Sequence, residues 1–557
     1  MKKLITLLLA SACYVTMSAQ APNDWYHQDP ADGFNGVSID KTYNTLLKGR
    51  SSQTVVVAII DSGMDIEHED LADNMWVNPG EIPGNGIDDD NNGYIDDIHG
   101  WNFIGGRDGS HVGGDNLEVT RQYALYRGKY DKVSDPAALN KEDKMNYDKF
   151  LIFQAEVEDA RTKATSRVAR MDSTEMELGM SIDMAANLIG SDTITSEAIS
   201  AMEAGEDQKL AMAKRVLPQF LAEPMTTSEI KAVLKDAING QKAYYQSQLD
   251  YHYNPDLNTR DIVGDDYSNS RETDYGNNDV EGPDPLHGTH VGGIVGAVRD
   301  NGIGVQGVAN NVKLMSVRTV PDGDERDKDV AAAIRYAVDN GASIINMSFG
   351  KGFSHDKDVV DEAVKYAKKK DVLLVHAAGN SAQDNDTTGN FPNDKYDKRD
   401  GWWIFKKDKK AKNWIEVGAL NFERGEDLSA TFSNYGATNV DVFAPGVQIY
   451  NTLPNNEYRK LQGTSMAAPV VAGVAAVLRS YFPALTAGQV KQIILGSSIK
   501  QTDTVKKPGT DEMVPFSELS VSGGTLNMYN AVEMALKTKG KKKVKRKKKV
   551  SAWTRVI

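Results

Sequence analysis

Four short apolar runs limit what this chain can fold into. They are Val55-Val56-Val57-Ala58-Ile59-Ile60, the stretch from Val312 to Val320, Ile344-Ile345 and Val372-Leu373-Leu374-Val375. They read as strands buried on both faces rather than as one-sided surface strands. Helical patterns lie between them. One runs from Asp329 to Asn340 and stops at Gly341. Another runs from Asp358 to Lys369, with Val359, Ala363, Val364 and Ala367 on one stripe. Strands that alternate with helices predict an α/β fold with a doubly wound, mostly parallel sheet.

One region breaks the alternation. From Asp115 to about Leu257 β-branched runs are scarce, and eight of the 18 methionines fall there. Phe153, Val157, Ala160, Ala164, Val168 and Met171 keep helical spacing, as do Ile230, Val233, Leu234 and Ile238. This predicts a helical insertion subdomain over 115–260 inside a body formed by 51–114 and 261–536. The methionines read as packing, because Met fills irregular gaps.

The two ends differ from the body. Lys2 and Lys3, the apolar run Leu4 to Ala10, and small residues as far as Ala21 have the layout of a bacterial export signal over 1–21, with cleavage after Ala19 or Ala21. The only cysteine, Cys13, lies inside it, so an internal disulfide and a thiolate zinc site are excluded. A lipoprotein signal with Cys13 retained is the rival reading. Export places the protein in the periplasm, the cell envelope or the medium. A 22–50 extension follows. The formal net charge is −14, yet residues 537–557 carry eleven Lys or Arg and no acid, which leaves −25 on the rest. An acidic body argues against nucleic-acid binding. The basic tail reads as a solvated segment or as a contact for an anionic surface.

Three segments carry chemistry. The first strand runs into Asp61-Ser62-Gly63, and open α/β sheets place function at the carboxyl ends of their strands. Alone, such an aspartate often only caps a turn. The second is His287-Gly288-Thr289-His290-Val291-Gly292-Gly293. Its two histidines could ligate a metal, but no further ligands adjoin them, and His68-Glu69 lacks the second histidine of a His-Glu-x-x-His motif. The third is Gly463-Thr464-Ser465-Met466-Ala467-Ala468-Pro469, where a loop becomes a helix. A serine there is either a helix cap or a nucleophile beside backbone N–H groups that favour developing negative charge.

The chain order Asp, His, Ser, with no Gly-x-Ser-x-Gly elbow, is that of subtilisin. These three segments resemble the signatures of the subtilase family, the subtilisin-like serine endopeptidases. The resemblance covers roughly 51–114 and 261–536. It implies Ser465 as nucleophile, His287 as general base, Asp61 as the group that orients His287, and a structural role for His290. It implies Asn380, in Ala377-Ala378-Gly379-Asn380, as a side-chain donor to the oxyanion. Ser348, Phe349 and Gly350 then match the strand that pairs with extended substrate beside the primary specificity pocket. Backbone pairing of that kind predicts broad tolerance of protein and peptide substrates. The competing reading is a catalytically inactive, subtilase-like peptide-binding protein of the cell envelope.

Asp88-Asp89-Asp90-Asn91-Asn92-Gly93-Tyr94-Ile95-Asp96-Asp97 gathers hard oxygen ligands. Asp88, Asp90, Asn92, the Tyr94 backbone and Asp96 fall at positions 1, 3, 5, 7 and 9 of a calcium loop, with Gly93 at the turn. Position 12 is His99, so Asp97 stands in for the missing carboxylate. This predicts structural calcium. Asp70 matches a second calcium position of many subtilases, with Asp300 and Asn301 as companions. Two departures from the family stand out. Asp61 and His287 lie 226 positions apart, and the segment before the first strand is too short for the usual inhibitory propeptide. The insertion is then either a partial substitute for that propeptide or a surface decoration.

Overall fold

The structure, a computed structural model, describes residues 21–397 and 409–541. The export signal, Cys13 and most of the basic tail lie outside the described residues. The chain divides into two compact units. One comprises Gly114–Thr259 with Asp322–Asp324, and the other holds the rest.

The larger unit is built on a nine-stranded sheet. Its strands, in chain order, are β1 (Val55–Asp61), β2 (Gly100–Asn102), β3 (Val312–Arg318), β4 (Ile344–Met347), β5 (Leu373–Ala377), β6 (Trp414–Leu420), β7 (Val442–Pro445), β10 (Ile499–Lys500) and β11 (Gly524–Thr525). A separate hairpin pairs β8 (Ile449–Leu453) with β9 (Glu457–Leu461). The spatial order is β10-β11-β7-β6-β5-β4-β1-β3-β2, parallel except for the β10–β11 pair. β1 therefore sits between β3 and β4, where successive connections diverge. Ligands of open α/β sheets bind outside the carboxyl ends of strands at such a point.

Helices cover both faces: α1 (Leu286–Gly296), α2 (Asp327–Asp339), α3 (Lys357–Lys369), α4 (Thr464–Tyr481), α5 (Ala487–Ser497) and α6 (Met528–Lys537). Alternate residues of each strand feed two cores. Val55, Val57 and Ile59 join α1, α4, α5 and α6 on one face. Ala58 and Ile60 join α2 and α3 on the other. The apolar runs are continuous because both faces are dry. α2 begins two residues before the expected Asp329, and Asn340 caps it, with Gly341 at φ +89° ending the turn.

The extension before β1 is part of the core. Trp25, Tyr26, Val37, Ile39 and Leu47 are buried against the face that holds α4. Asn451 donates to the Tyr26 hydroxyl, and Met528 N–H bonds Val37 O. Ala21 is also buried in this core.

The smaller unit is helical, as expected, and starts one residue earlier than the predicted 115–260 segment, taking in Asp322–Asp324 as well. Its longest helix, Lys141–Ile189, is opened by the Asn140 side chain and closed by Gly190 at φ +76°. Phe153, Val157, Ala164 and Met171 are buried on its predicted stripe, while Ala160 and Val168 are half-buried. Helix Thr227–Ser247 starts with a Thr226–Glu229 capping box. It buries Ile230 and Leu234 with Ile182, Ile199 and Leu217 in a core of the unit's own, whereas Val233 is exposed.

Trp25→Ala should lower the stability of the larger unit by about 3–5 kcal/mol, read as a reduced denaturant midpoint at unchanged slope. A change under about 1 kcal/mol would mean the extension is an appendage.

Candidate active site

Asp61 ends β1 and is nearly fully buried. Its Oδ1 accepts from the Ser62 N–H at 2.8 Å and lies 2.6 Å from His287 Nδ1. The contact makes Nδ1 the protonated nitrogen and leaves Nε2 free to accept. His287 sits in the first turn of α1. Gly288 lets that turn approach the sheet, because a Cβ there would lie 2.0 Å from Gly63 O. Burial alone would lower the His287 pKa. The charge of Asp61 and its hydrogen bond, with a contribution from Asp284, outweigh burial and hold it above the ordinary histidine value. His290 has the structural role the resemblance implies. Its Nε2 faces Ile449 O (3.0 Å) and Arg459 O (3.2 Å), which ties α1 to the β8–β9 hairpin, and burial lowers its pKa to about 4.

Ser465 is the second residue of α4. Every residue of this helix is buried except Ser465 and Tyr481. The serine is therefore the point where a helix otherwise packed all round opens at its start. N–H groups of the first turn have no partner within the helix. Pro469 carries no N–H, so it cannot bond the Ser465 carbonyl four residues back. The Ser348 hydroxyl donates to that carbonyl instead, at 2.9 Å, and the Ser465 hydroxyl donates to Ser348 O at 3.0 Å. The pair locks the start of α4 to the end of β4. In this state the Ser465 hydroxyl proton points at Ser348 O rather than at His287. Catalytic hydrogen bonds in substrate-free enzymes are often loose in this way.

Asn380 follows β5. Its Oδ1 accepts from the Thr464 N–H (2.8 Å) and the Thr464 hydroxyl (2.9 Å). An N–H can only donate to the amide oxygen, so the Asn380 amide orientation is fixed and its NH2 remains available. Gly463 is at φ +152°, and a Cβ on it would lie 3.4 Å from Asn380 Nδ2. The Asn380 NH2 thus lies beside the residues that lead into Ser465. Ser348 is buried, Phe349 half-buried and Gly350 exposed. The backbone N–H and C=O groups of Phe349 and Gly350 make no hydrogen bond among the described residues. These two residues lie just past the end of β4, where their backbone stays open.

The acidic loop is arranged differently from the calcium-loop register. The Asp88 carboxylate caps the N–H groups of Asn92 and Gly93. Asp96 is held at φ +51°, and its two oxygens accept from Gly84, Asn85 and Gly86 N–H. Asn92 Oδ1 accepts from Tyr94 N–H, and the Tyr94 ring packs on Trp101 and Tyr336. Of the six predicted ligands, only Asp90 and Asp97 bring carboxylate oxygens together. Their companion is Glu81, which the motif reading missed. Oxygens of the three lie within 4.8 Å of one another, and no lysine or arginine among the described residues pairs with them. Burial pushes the Asp97 pKa up to about 6, against hydrogen bonds from Tyr336, Asn78 and Asn92. At Asp70, the Asn301 amide (2.7 Å) and the Val305 N–H (2.8 Å) occupy the carboxylate. Donors stand there where a cation requires oxygens.

A parallel sheet with Asp61 bonded to His287 at the end of β1, and Asn380 held to the turn that carries Ser465, bears the signatures of the subtilases. The chain belongs to the subtilase family, whose model matches residues 52–518. It is 36% identical over 301 residues to the thermophilic serine proteinase of Bacillus sp. (strain AK1), covering 54% of this chain and 63% of that one. It is 38% identical over 222 residues to subtilisin DY of Bacillus licheniformis, covering 39% and 72%. Over 227 residues it is 35% identical to thermitase of Thermoactinomyces vulgaris, covering 41% and 70%. The chain thus spans just under two thirds of the length of the first of these relatives.

A histidine base must be neutral, so kcat/KM should fall as pH drops through the raised His287 pKa. Asp284→Asn removes one charge that raises it, and the acid limb should move to lower pH, most clearly at low ionic strength. A limb that stays in place in low salt would contradict this electrostatic account.

Proposed function

We propose that this chain is an exported serine endopeptidase that hydrolyses peptide bonds in protein or peptide substrates with broad sequence tolerance. The observation that supports the reading is the Asp61–His287 hydrogen bond, together with a serine, Ser465, that opens α4 beside the anchored side chain of Asn380. Substrate adds as a strand along Phe349 and Gly350. The Ser465 hydroxyl turns from Ser348 O to His287 Nε2 and attacks the scissile carbonyl. His287 takes the proton, and Asp61 stabilises the resulting imidazolium. The oxyanion is held by the Ser465 N–H and the Asn380 amide. His287 then protonates the leaving amine, and water reverses the sequence to release the acid. An inactive peptide-binding protein is the weaker reading, because none of the four groups is missing. Purified protein should hydrolyse casein, and both a serine-reactive phosphonate and Ser465→Ala should abolish the activity. Folded wild-type protein without turnover would defeat the proposal. A mature N-terminal mass that begins at Gln20 or Pro22 would fit export by ordinary signal cleavage.

The Glu81, Asp90 and Asp97 cluster suits calcium, since hard carboxylate oxygens converge there without a compensating side-chain cation among the described residues. A bound ion would offset their repulsion and brace the 77–98 loop, in a chain whose one cysteine lies in the leader. No catalytic step runs through it. Chelation should lower the melting temperature, and Asp97→Asn should remove the dependence on calcium. A melting point that ignores both would count against the site.

A further inference from the structure

Behind the oxyanion segment lies a second histidine–carboxylate pair that the triad chemistry does not use. His376 on β5 and Glu416 on β6 stand directly opposite each other in the parallel register. His376 Nδ1 lies 3.0 and 3.1 Å from the two Glu416 oxygens. Trp414 Nε1 donates to the same carboxylate at 2.8 Å, and Asn390 Nδ2 lies 3.3 Å from it. His376 and Trp414 are fully buried, and Glu416 is 5% exposed. Well-packed apolar residues often replace buried ionisable groups without loss of stability, so stability alone is a weak reason for the cluster.

Its contacts point to another reason. Asn390 Nδ2 also donates to Ala378 O (3.0 Å) and lies 3.3 Å from Ala377 O. Those two peptides lead into Gly379 and Asn380. On its other side Asn390 closes against the substrate strand, since a Cβ on Gly350 would lie 2.6 Å from Asn390 Oδ1. The Phe349 ring meets His376 edge to face, with centroids 6.2 Å apart. One buried polar cluster therefore touches both the oxyanion segment and the strand that receives substrate.

We propose that Glu416, His376 and Asn390 are positioning residues for the oxyanion donor. Glu416, oriented by His376 and Trp414, fixes the Asn390 amide. Asn390 in turn holds the carbonyls of Ala377 and Ala378, so that the Asn380 NH2 is aimed where negative charge develops. Thr464 anchors the Asn380 side chain, and the Asn390 cluster anchors the backbone that carries it. A misplacement of about 1 Å far from the reacting atoms is enough to cost about 10²-fold in rate. This rests on Ser465 acting as the nucleophile of a peptidase.

The test is a double-mutant cycle read in the acylation step with a peptide anilide in single turnover. Asn390→Ala and Glu416→Gln should each slow acylation about 10-fold while KM stays within about twofold. In an Asn380→Ala background the same substitutions should slow it by less than about twofold, because the group they aim is gone. Equal losses in both backgrounds, or losses confined to KM, would overturn the proposal. Asn390 is only half-buried, so Asn390→Ala keeps the test decisive if Glu416→Gln fails to fold. Wild-type protein without turnover would overturn the peptidase reading and this inference together. Additive losses in an active enzyme would remove this inference alone.

Discussion

Helix α4 is buried on every side and apolar from Met466 to Leu478, and the larger unit is arranged to bury it. A helix with no polar face cannot rest on a surface. It needs the sheet beneath it, α1 and α5 beside it, and the extension at Trp25 and Tyr26 to complete the same core. The site follows from that requirement. With sixteen of its eighteen residues buried, α4 meets solvent only near its ends, and one end carries Ser465. Pro469 then frees the carbonyl through which Ser348 grips that end. Packing fixes where Ser465 emerges, and one missing N–H fixes which strand holds it.

Much of this could be read from the residues in order, because each of the three signature residues is announced locally. Asp61 closes an apolar run, His287 opens a glycine-rich helix, and Ser465 opens an apolar one. The strands with clean apolar runs were legible for the same reason. β6 and β7 were not, since Glu416 and Gly418 interrupt Trp414–Leu420 and Val442–Pro445 is only four residues long. The His376–Glu416 pair was equally hidden. Forty positions separate the two residues, and only strand register brings them together.

The acidic loop shows where composition misleads. Spacing in the sequence assigned six ligands, yet the folded path of the loop decides which carboxylates meet. Asp88 and Asp96 are consumed by backbone N–H groups of their own loop. Glu81 enters the cluster although it precedes the acidic run, and its other contacts hold Asp89, Asp90 and Asp96 N–H in place. Which acids come together depends on the folded path of the loop, and spacing along the chain does not give that path.

The helical insertion has a consequence for how the chain assembles. β1 and β3 pair along their whole length, yet the insertion lies between them in sequence. Closing a flexible loop of that size would lose entropy only as the logarithm of its length. A segment with its own core, led by Ile182, Ile199, Ile230 and Leu234, shortens the flexible part further. Sequence distance between Asp61 and His287 therefore overstates the folding cost of bringing them together. The insertion can lengthen or shorten by whole helical turns while the pairing of β1 with β3 stays almost as easy to reach.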